Sequence, residues 1–350
     1  MKVLQNARLK IDALRHAYSR DAFAAERSAL TEERFRLQAE RERLSGEAER
    51  LRLQRDATPV DSPFMHYQAT FDAQSLVRRH AVSGLTGTPG YVTNFLGVKA
   101  PPEFLPEVIR QQLGQVEGVP IPANWHADVA EWAGALRAVE LARGSFTVIE
   151  LGCGWGCWMN NTGVAARRLG LDVRVIGVEG DENHVASAAR TCEVNGLHPE
   201  QVTLHHGIAA ARSGLALFPK QEGVHWGGQP IFDPSDEQRQ QARISGSYEE
   251  LPIFSILELT AEHKKIDLLH VDIQGGEADL VRDSLSLLKQ KVAYMVIGTH
   301  SRQLEGRLFD NLLNAGWHLE VERPAILGLA EAGPHVVVDG VQAWRNPLLV

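Results

Sequence analysis

From residue 124 onward, apolar residues gather in short runs, and between the runs they recur at three- and four-residue spacing. The first run, Phe146, Val148, Ile149 and Leu151, is β-branched and aromatic and reads as a strand covered on both faces. Further runs follow at Val173–Val178, which ends in Glu179, and at Gln201–His206, which opens at Gly207. Two more are Ile266–Ile273 and Val292–Gly298, the latter leading into Thr299, His300 and Ser301. Helical spacing fills the gaps. Asn124–Leu141 carries Val129, Trp132, Leu136, Val139 and Leu141 on or near one face. His184–Asn195 is preceded by Asp181 as a cap and stopped by Asn195-Gly196. A third helix runs from the Gly275-Gly276-Glu277 turn through Leu288. Alternating strands and helices at this pitch predict a doubly wound, mostly parallel α/β sheet.

The first 56 residues follow a different pattern. They carry one glycine and no proline, and Leu30, Leu37, Leu44 and Leu51 repeat every seventh residue. This predicts one or two long helices of the coiled-coil kind. The companion heptad positions hold Glu33, Arg34, Glu40 and Arg41, so the seam is incomplete. A charged, solvated helix is the alternative to self-association. Residues 57–123 read as a mixed accessory region punctuated by glycine and proline, and 124–350 as the main domain. Within the first of these, Tyr91, Thr93 and Asn94 are placed either to cover a site or to form a surface loop. Within the second, 218–252 reads as an irregular, lid-like insert with Trp226 as a candidate platform for a sugar ring, or else as a disordered one.

A chain of 350 residues with 44% hydrophobic and 23% charged positions is long enough for a full core plus an extension. The N-terminal 56 residues hold 13 basic and 10 acidic groups, so the formal charge of −8 leaves −11 for the remainder. That balance argues against binding nucleic acid by general electrostatics. Three cysteines supply neither a disulfide framework nor a paired zinc pattern. No signal peptide and no 18-residue apolar run are visible, so the expected location is cytoplasmic.

The candidate chemistry begins where the first strand ends. Glu150 precedes Gly152, Gly154 and Gly156, a G-x-G-x-G spacing; a dinucleotide fingerprint needs its third glycine at 157, where Cys157 stands. Glycines here allow a tight turn and close approach of the backbone to a ligand. The pattern resembles motif I of class I S-adenosylmethionine (SAM) methyltransferases, and the acid suits a cofactor with a cationic amino-acid end. Glu179, at the tip of the second strand, is placed to accept hydrogen bonds from both ribose hydroxyls of a nucleoside. The expected cofactor-binding set is Glu150, Gly152, Cys153, Gly154, Gly156, Glu179, Gly207 and Asp272.

Asp272, at the end of the fourth run, is the centre of a second constellation. A carboxylate there can orient an acceptor hydroxyl, contact the cofactor's amino group or bind a metal. Methyl transfer to a hydroxyl needs in-line approach and removal of a proton, for which imidazole is a natural base. His300 is the first candidate and His270 the second, although histidines at strand ends are often structural. His270, Asp272, Glu277 and His300 include ligand types for a divalent ion, but their spacing does not show convergence and no metal is expected. Of His205 and His206, adjacent on one strand, only one can face any site.

Taken together, VIELGCGWG, VIGVEGDENH, LLHVDIQGGEADLV and MVIGTHS resemble FkbM-type SAM-dependent methyltransferases over about residues 120 to 345. Gln274 stands where that family's motif usually has an acid; Asp272 and Glu277 match it. The resemblance implies a Rossmann-like class I methyltransferase fold, seven-stranded with its last strand antiparallel and helices on both faces. Ala315–Glu322 and His335–Trp344 fit as the closing strand pair. It also implies SAM-dependent O-methylation of a sugar or glycan hydroxyl, or of a small natural product. A scaffold whose N-terminal helices recruit partners beside a degenerate methyltransferase domain is the reading from a different class. The expected assembly is a homo-oligomer held through the N-terminal helices.

Overall fold

The computed structural model describes residues 62–102, 107–220, 227–331 and 333–350. The coiled-coil-like segment expected over 1–56 and the platform expected at Trp226 lie outside these residues. Besides a short antiparallel pair at Val92–Thr93 and Lys99–Ala100, the strands are β1 (Gln68–Ala69), β2 (Ser145–Leu151), β3 (Asp172–Glu179), β4 (Val202–His206), β5 (Ile208–Ala210), β6 (Gly214–Pro219) and β7 (Ile231–Phe232). They continue as β8 (Tyr248–Ser255), β9 (Leu268–Val271), β10 (Tyr294–Thr299), β11 (His318–Arg323), β12 (Ile326–Ala330), β13 (Gly333–Val338) and β14 (Gly340–Arg345). The main helices are α1 (Ala73–His80), α2 (Val129–Leu141), α3 (Cys157–Arg168), α4 (Glu182–Val194), α5 (Asp236–Ser245), α6 (Ile256–Thr260), α7 (Glu277–Lys291) and α8 (Arg302–Asn314).

The main sheet has the order β1-β11-β14-β10-β9-β2-β3-β4. β4, β3, β2, β9 and β10 are parallel, and β14 runs antiparallel between β10 and β11. The sheet has eight strands rather than the expected seven because Gln68 and Ala69 add an antiparallel edge to β11. Successive residues of each strand face opposite sides, and the two cores divide accordingly. Val148, Val175, Leu268 and Val296 pack with α1, α2, α3 and α4, whereas Ile149, Ile176, Leu269 and Ile297 pack with α6, α7 and α8. Each such side chain removed from water stabilises the fold by about 1.5–3 kcal/mol. Cover on both faces explains why these strands read as continuous apolar runs rather than alternating ones.

Several expectations change. Helix α2 starts at Val129, where the Asp128 carboxylate accepts from the Ala130 and Glu131 amides, and not at Asn124. Its covered surface is wider than one amphipathic stripe: a Cβ on Gly134 would come within 2.9 Å of the Ala343 Cβ on the sheet. Residues 57–123 do not form a separate linker throughout, because Leu76, Val77, Phe95 and Leu96 join the core beneath α2. The described residues of the 218–252 stretch are not irregular throughout either. Its strands β6, β7 and β8 join β5 in a four-stranded sheet of order β5-β8-β6-β7, with α5 between β7 and β8. His335–Trp344 is likewise two strands: β13 pairs with β12 in a hairpin of its own, and only β14 closes the main sheet. No helix among the described residues is long and apolar enough to cross a membrane.

Candidate active site

Parallel strands deliver their carboxyl ends to one rim, where open α/β sheets bind ligands. β2 delivers the glycine loop, with Gly152, Gly154 and Gly156 at φ 75°, 51° and 75°. These are left-handed conformations in which a Cβ is strained. Gly152 has a second constraint: a Cβ would stand 2.0 Å from the Asp272 carbonyl oxygen, because the chain leaving the paired parallel strand β9 passes close by there. The Asp272 amide donates to the Leu151 carbonyl at 3.0 Å, and the Gly152 and Cys153 amides both donate to the Val178 carbonyl. Cys153 is buried, with its Sγ in the space left by the missing Cβ of Gly177.

The two acids singled out for the cofactor occupy different places. Glu179 lies at the rim, where Oε2 accepts from the Gly154 amide at 2.8 Å and Oε1 from the Asp181 amide at 2.9 Å. Burial acts to raise its carboxyl, but the hydrogen bond and charge of His184 outweigh burial and hold it below its ordinary value. Glu150 is only 2% exposed and sits beneath the loop. Its two oxygens accept from the Trp158 amide at 3.0 Å and the Met159 amide at 2.8 Å, capping the start of α3. Burial pushes its carboxyl up to about 7, against the opposing charge of His270. Gly207 donates its amide to the Glu179 carbonyl, and a Cβ there would meet the Pro252 carbonyl at 2.5 Å. Its small size lets β8 pass close to the rim.

His270 and His300 also part company. His270 stands in register with Glu150 on the neighbouring strand, buried beneath α2 and α3. Its Nε2 lies 3.0 Å from Glu131 Oε1, and its ring stacks on Trp158 at 5.4 Å. Burial opposes its charge, but the hydrogen bond and charge of Glu131 outweigh burial and raise its pKa. This is a core histidine, and Glu131, which the sequence reading missed, is its partner from 139 residues away.

His300 joins Asp272 and Glu277 instead. Its Nε2 lies 3.2 Å from Asp272 Oδ1 and its Nδ1 lies 3.2 Å from Glu277 Oε1. Glu277 is fully buried, and its carboxylate also accepts from the Ile273 and Gly275 amides. The Asp272 side chain is 40% exposed, against 16% for His300. Burial would lower the imidazole, but the Asp272 charge and the hydrogen bonds of both carboxylates hold it at about 11. Asp272 is in turn kept below its ordinary value: its partial burial is outweighed by the His300 charge. The Gln274 side-chain amide completes the group, 3.1 Å from Asp272 Oδ1 and 3.0 Å from His300 Nε2.

Flanking residues behave as framework. Asn94, expected in a cover or surface loop, is buried; its Nδ2 donates to Asn161 at 2.7 Å and its Oδ1 accepts from the Leu96 and Val98 amides. Beside the glycine loop, Trp155 stacks on Trp125 at 5.9 Å. His206 reaches the Gly180 carbonyl at 3.0 Å, whereas the His205 ring packs on Phe254. The structure thus brings the glycine loop, Glu179, Gly207, Asp272 and His300 to one rim, and sets the Glu150 and His270 side chains beneath it.

No family model matches the chain. It is 46% identical over 275 residues to a protein of Jannaschia sp. (strain CCS1) named "Putative methyltransferase", covering 78% of this chain and 98% of that one. Among solved structures, the methyltransferase FkbM of Methylobacillus flagellatus KT is 12% identical, with a TM-score of 0.38 over 62% of this chain and 54% of that one. Precorrin 8w decarboxylase of Methanobacterium thermoautotrophicum is 13% identical, with a TM-score of 0.31 over 57% and 81%. Scores this low carry neither substrate nor mechanism across.

Proposed function

Because the chain belongs to the methyltransferase family of its Jannaschia relative, we propose that it is a SAM-dependent O-methyltransferase acting on a sugar or glycan hydroxyl. The observation that carries this reading is the contact between Glu179 and Gly154, which seats an ionised carboxylate against a left-handed glycine turn at the rim. A carboxylate with spare acceptor capacity suits ribose hydroxyls, and the open backbone of the loop suits a cationic amino-acid end. When bound, SAM supplies a methyl group activated by a positively charged sulfur.

The chain's own residues then have an acceptor to hold. Asp272 is the most exposed member of the rim trio and is assigned to accept the acceptor's hydroxyl hydrogen bond. His300, held as a cation between two carboxylates, orients Asp272; a base has to be neutral to take a proton, so the role of first-candidate base does not suit it in this state. His270, enclosed by Glu131 and Trp158, supports the loop rather than meeting substrate. The negative formal charge disfavours polyanionic acceptors, and the sugar class rests on the sequence resemblance.

Calorimetry with SAM and S-adenosylhomocysteine tests the reading. The full-length protein is expected to bind both. Glu179→Ala, which removes hydrogen bonds to a charged group worth about 1.5–3 kcal/mol, is expected to weaken SAM binding about 10–100-fold. Absence of SAM binding, or unchanged affinity in Glu179→Ala, would overturn it. Labelled SAM with panels of sugars and small phenolic or aliphatic alcohols then separates a glycan acceptor from a natural-product one.

A further inference from the structure

The β12–β13 hairpin prolongs the closing strand pair of the main sheet beyond the rim. β11 and β14 pair Val321 with Ala343 and Arg323 with Val341. Three residues further along each strand, Ile326 pairs with Val338, so the register carries through. The joint is fixed to the end of β10. Gly340 pairs with Thr299, the residue before His300. Glu305 Oε1 accepts from the Thr299 hydroxyl at 3.0 Å and from the Ala325 amide at 2.6 Å. The Arg323 guanidinium donates to the Pro324 and Asp339 carbonyls on the two sides of the base.

Alternation along the strands decides which way the hairpin faces. After a register shift that follows Ile326, Leu327 lies opposite Val336 and Leu329 opposite Pro334. Directly opposed residues share a face. Every second residue back from Leu329 gives Leu327, Ala325, Arg323 and Val321, and the last two lie on the α2 side of the sheet. Leu268 and Val296 face that same side, and every second residue onward from them leads to Asp272 and His300. In agreement, a Cβ on Gly298 would stand 3.4 Å from the Asp272 carboxyl. Leu327 and Leu329 thus overlook the same side of the rim as Asp272, about 7 and 14 Å past the level of His300.

This face is apolar and open. Leu327 is 42% exposed and Leu329 87%, Pro334 is exposed and Val336 half-buried. β12 and β13 hold no Asp, Glu, Lys or Arg, the residues that ordinarily guard exposed strands. The opposite face is filled by the hairpin itself, where a Cβ on Gly328 would stand 2.8 Å from the His335 ring and 2.9 Å from Val337. A two-stranded hairpin is marginal in water without cover, and open apolar patches mark binding surfaces.

We propose that Leu327, Leu329, Pro334 and Val336 seat an apolar body carried by the acceptor, a proposal that rests on the hydroxyl assigned to Asp272 above. The acceptor is then a neutral amphiphile: its hydroxyl lies at the acidic rim and its apolar end lies along the uncharged hairpin. The continuous ladder from the rim to Leu329 favours this occupant over a separate partner, because one molecule can span both surfaces.

The test is calorimetry of the full-length protein with S-adenosylhomocysteine present. The probes are n-alkyl β-glucosides from butyl to nonyl, below their micelle concentrations, and the matching n-alkanols, which make the result independent of the sugar. Each methylene that reaches the hairpin should tighten binding about fourfold, the equivalent of about 0.8 kcal/mol for a buried CH₂. Leu327→Ser and Leu329→Ser should each weaken octyl glucoside about tenfold while leaving the melting temperature and SAM affinity unchanged. Affinity that ignores chain length, or that survives both substitutions, overturns the proposal. A mass by light scattering that falls in Leu329→Ser also overturns it, by giving the face to a second copy of the chain. SAM titration of the same samples separates the two readings. SAM binding without chain-length dependence sinks only the apolar wall, and chain-length dependence without SAM binding sinks only the proposed function.

Discussion

Glu117 lies beside Asn124, whose Nδ2 is 3.5 Å from its carboxylate, and burial there pushes the carboxyl from 4.5 up to about 7. A carboxyl whose folded pKa is raised favours the fold in its neutral form. That contribution is fully present below 4.5 and is lost as the pH rises through about 7. Glu117→Gln keeps the neutral shape at all pH, so its melting temperature should rise relative to wild type between pH 4.5 and 7.5. A difference that stays constant across that range would contradict the assignment. Other acids show how context separates like residues. Glu150 and Glu179 both end strands beside the glycine loop, yet one caps a helix from below and the other faces the rim. Their identity and spacing were legible in the chain; their division of labour was not, because it depends on where the backbone amides of α3 and of Gly154 lie.

Among elements, α2 depends on a contact that no local pattern reveals. Asp128 caps its first turn and also pairs with Arg323 at the end of β11, and both side chains are almost fully buried. Removing one partner leaves the other charge buried and uncompensated, at a cost of about 3–5 kcal/mol. Asp128→Ala should therefore lower the free energy of unfolding by about that amount in chemical denaturation. A loss below about 1 kcal/mol, the range of an exposed pair, would show that Arg323 finds other partners. Gly340 makes the same point at β14. A Cβ there would stand 2.2 Å from Glu305 Oε1 and 2.3 Å from Thr299 Oγ1, so the strand closes against β10 only with glycine at that position. The strand itself was readable from its apolar run, but its start was not, because β13 continues that run into a separate hairpin.

On the scale of the whole molecule, the rim residues all lie after residue 145, on strand ends, on the loops that follow them and at the first residue of α7. All of the site residues named above belong to the described residues, and the heptad-bearing segment over 1–56 lies outside these. Its deletion is expected to leave SAM affinity unchanged within about twofold, well below the about 1.4 kcal/mol that a tenfold change represents. If the heptad stripe self-associates, the same deletion should lower the mass measured by light scattering. An unchanged mass would assign that stripe to a solvated helix. The small sheet built from β5, β6, β7 and β8 had no counterpart in the sequence reading. Two of its strands, β5 and β7, are only three and two residues long, too short to show a periodic signal.

What the chain determines by itself is what neighbouring residues decide: apolar runs that form strands, caps such as Asp181, and glycines at 152, 154 and 156 that turn left-handed. Those features placed the parallel sheet, the loop and Glu179 without any knowledge of contacts. Tertiary structure decided the rest, because its partners lie far apart along the chain. It buried His270 against Glu131, 139 residues away, and brought His300 to Asp272 and Glu277 across the β9–β10 crossover. It also turned Gln274, an apparent departure from a motif, into the third corner of a polar triangle. The energy of such a group lies in distances between side chains, and a linear pattern does not carry those distances.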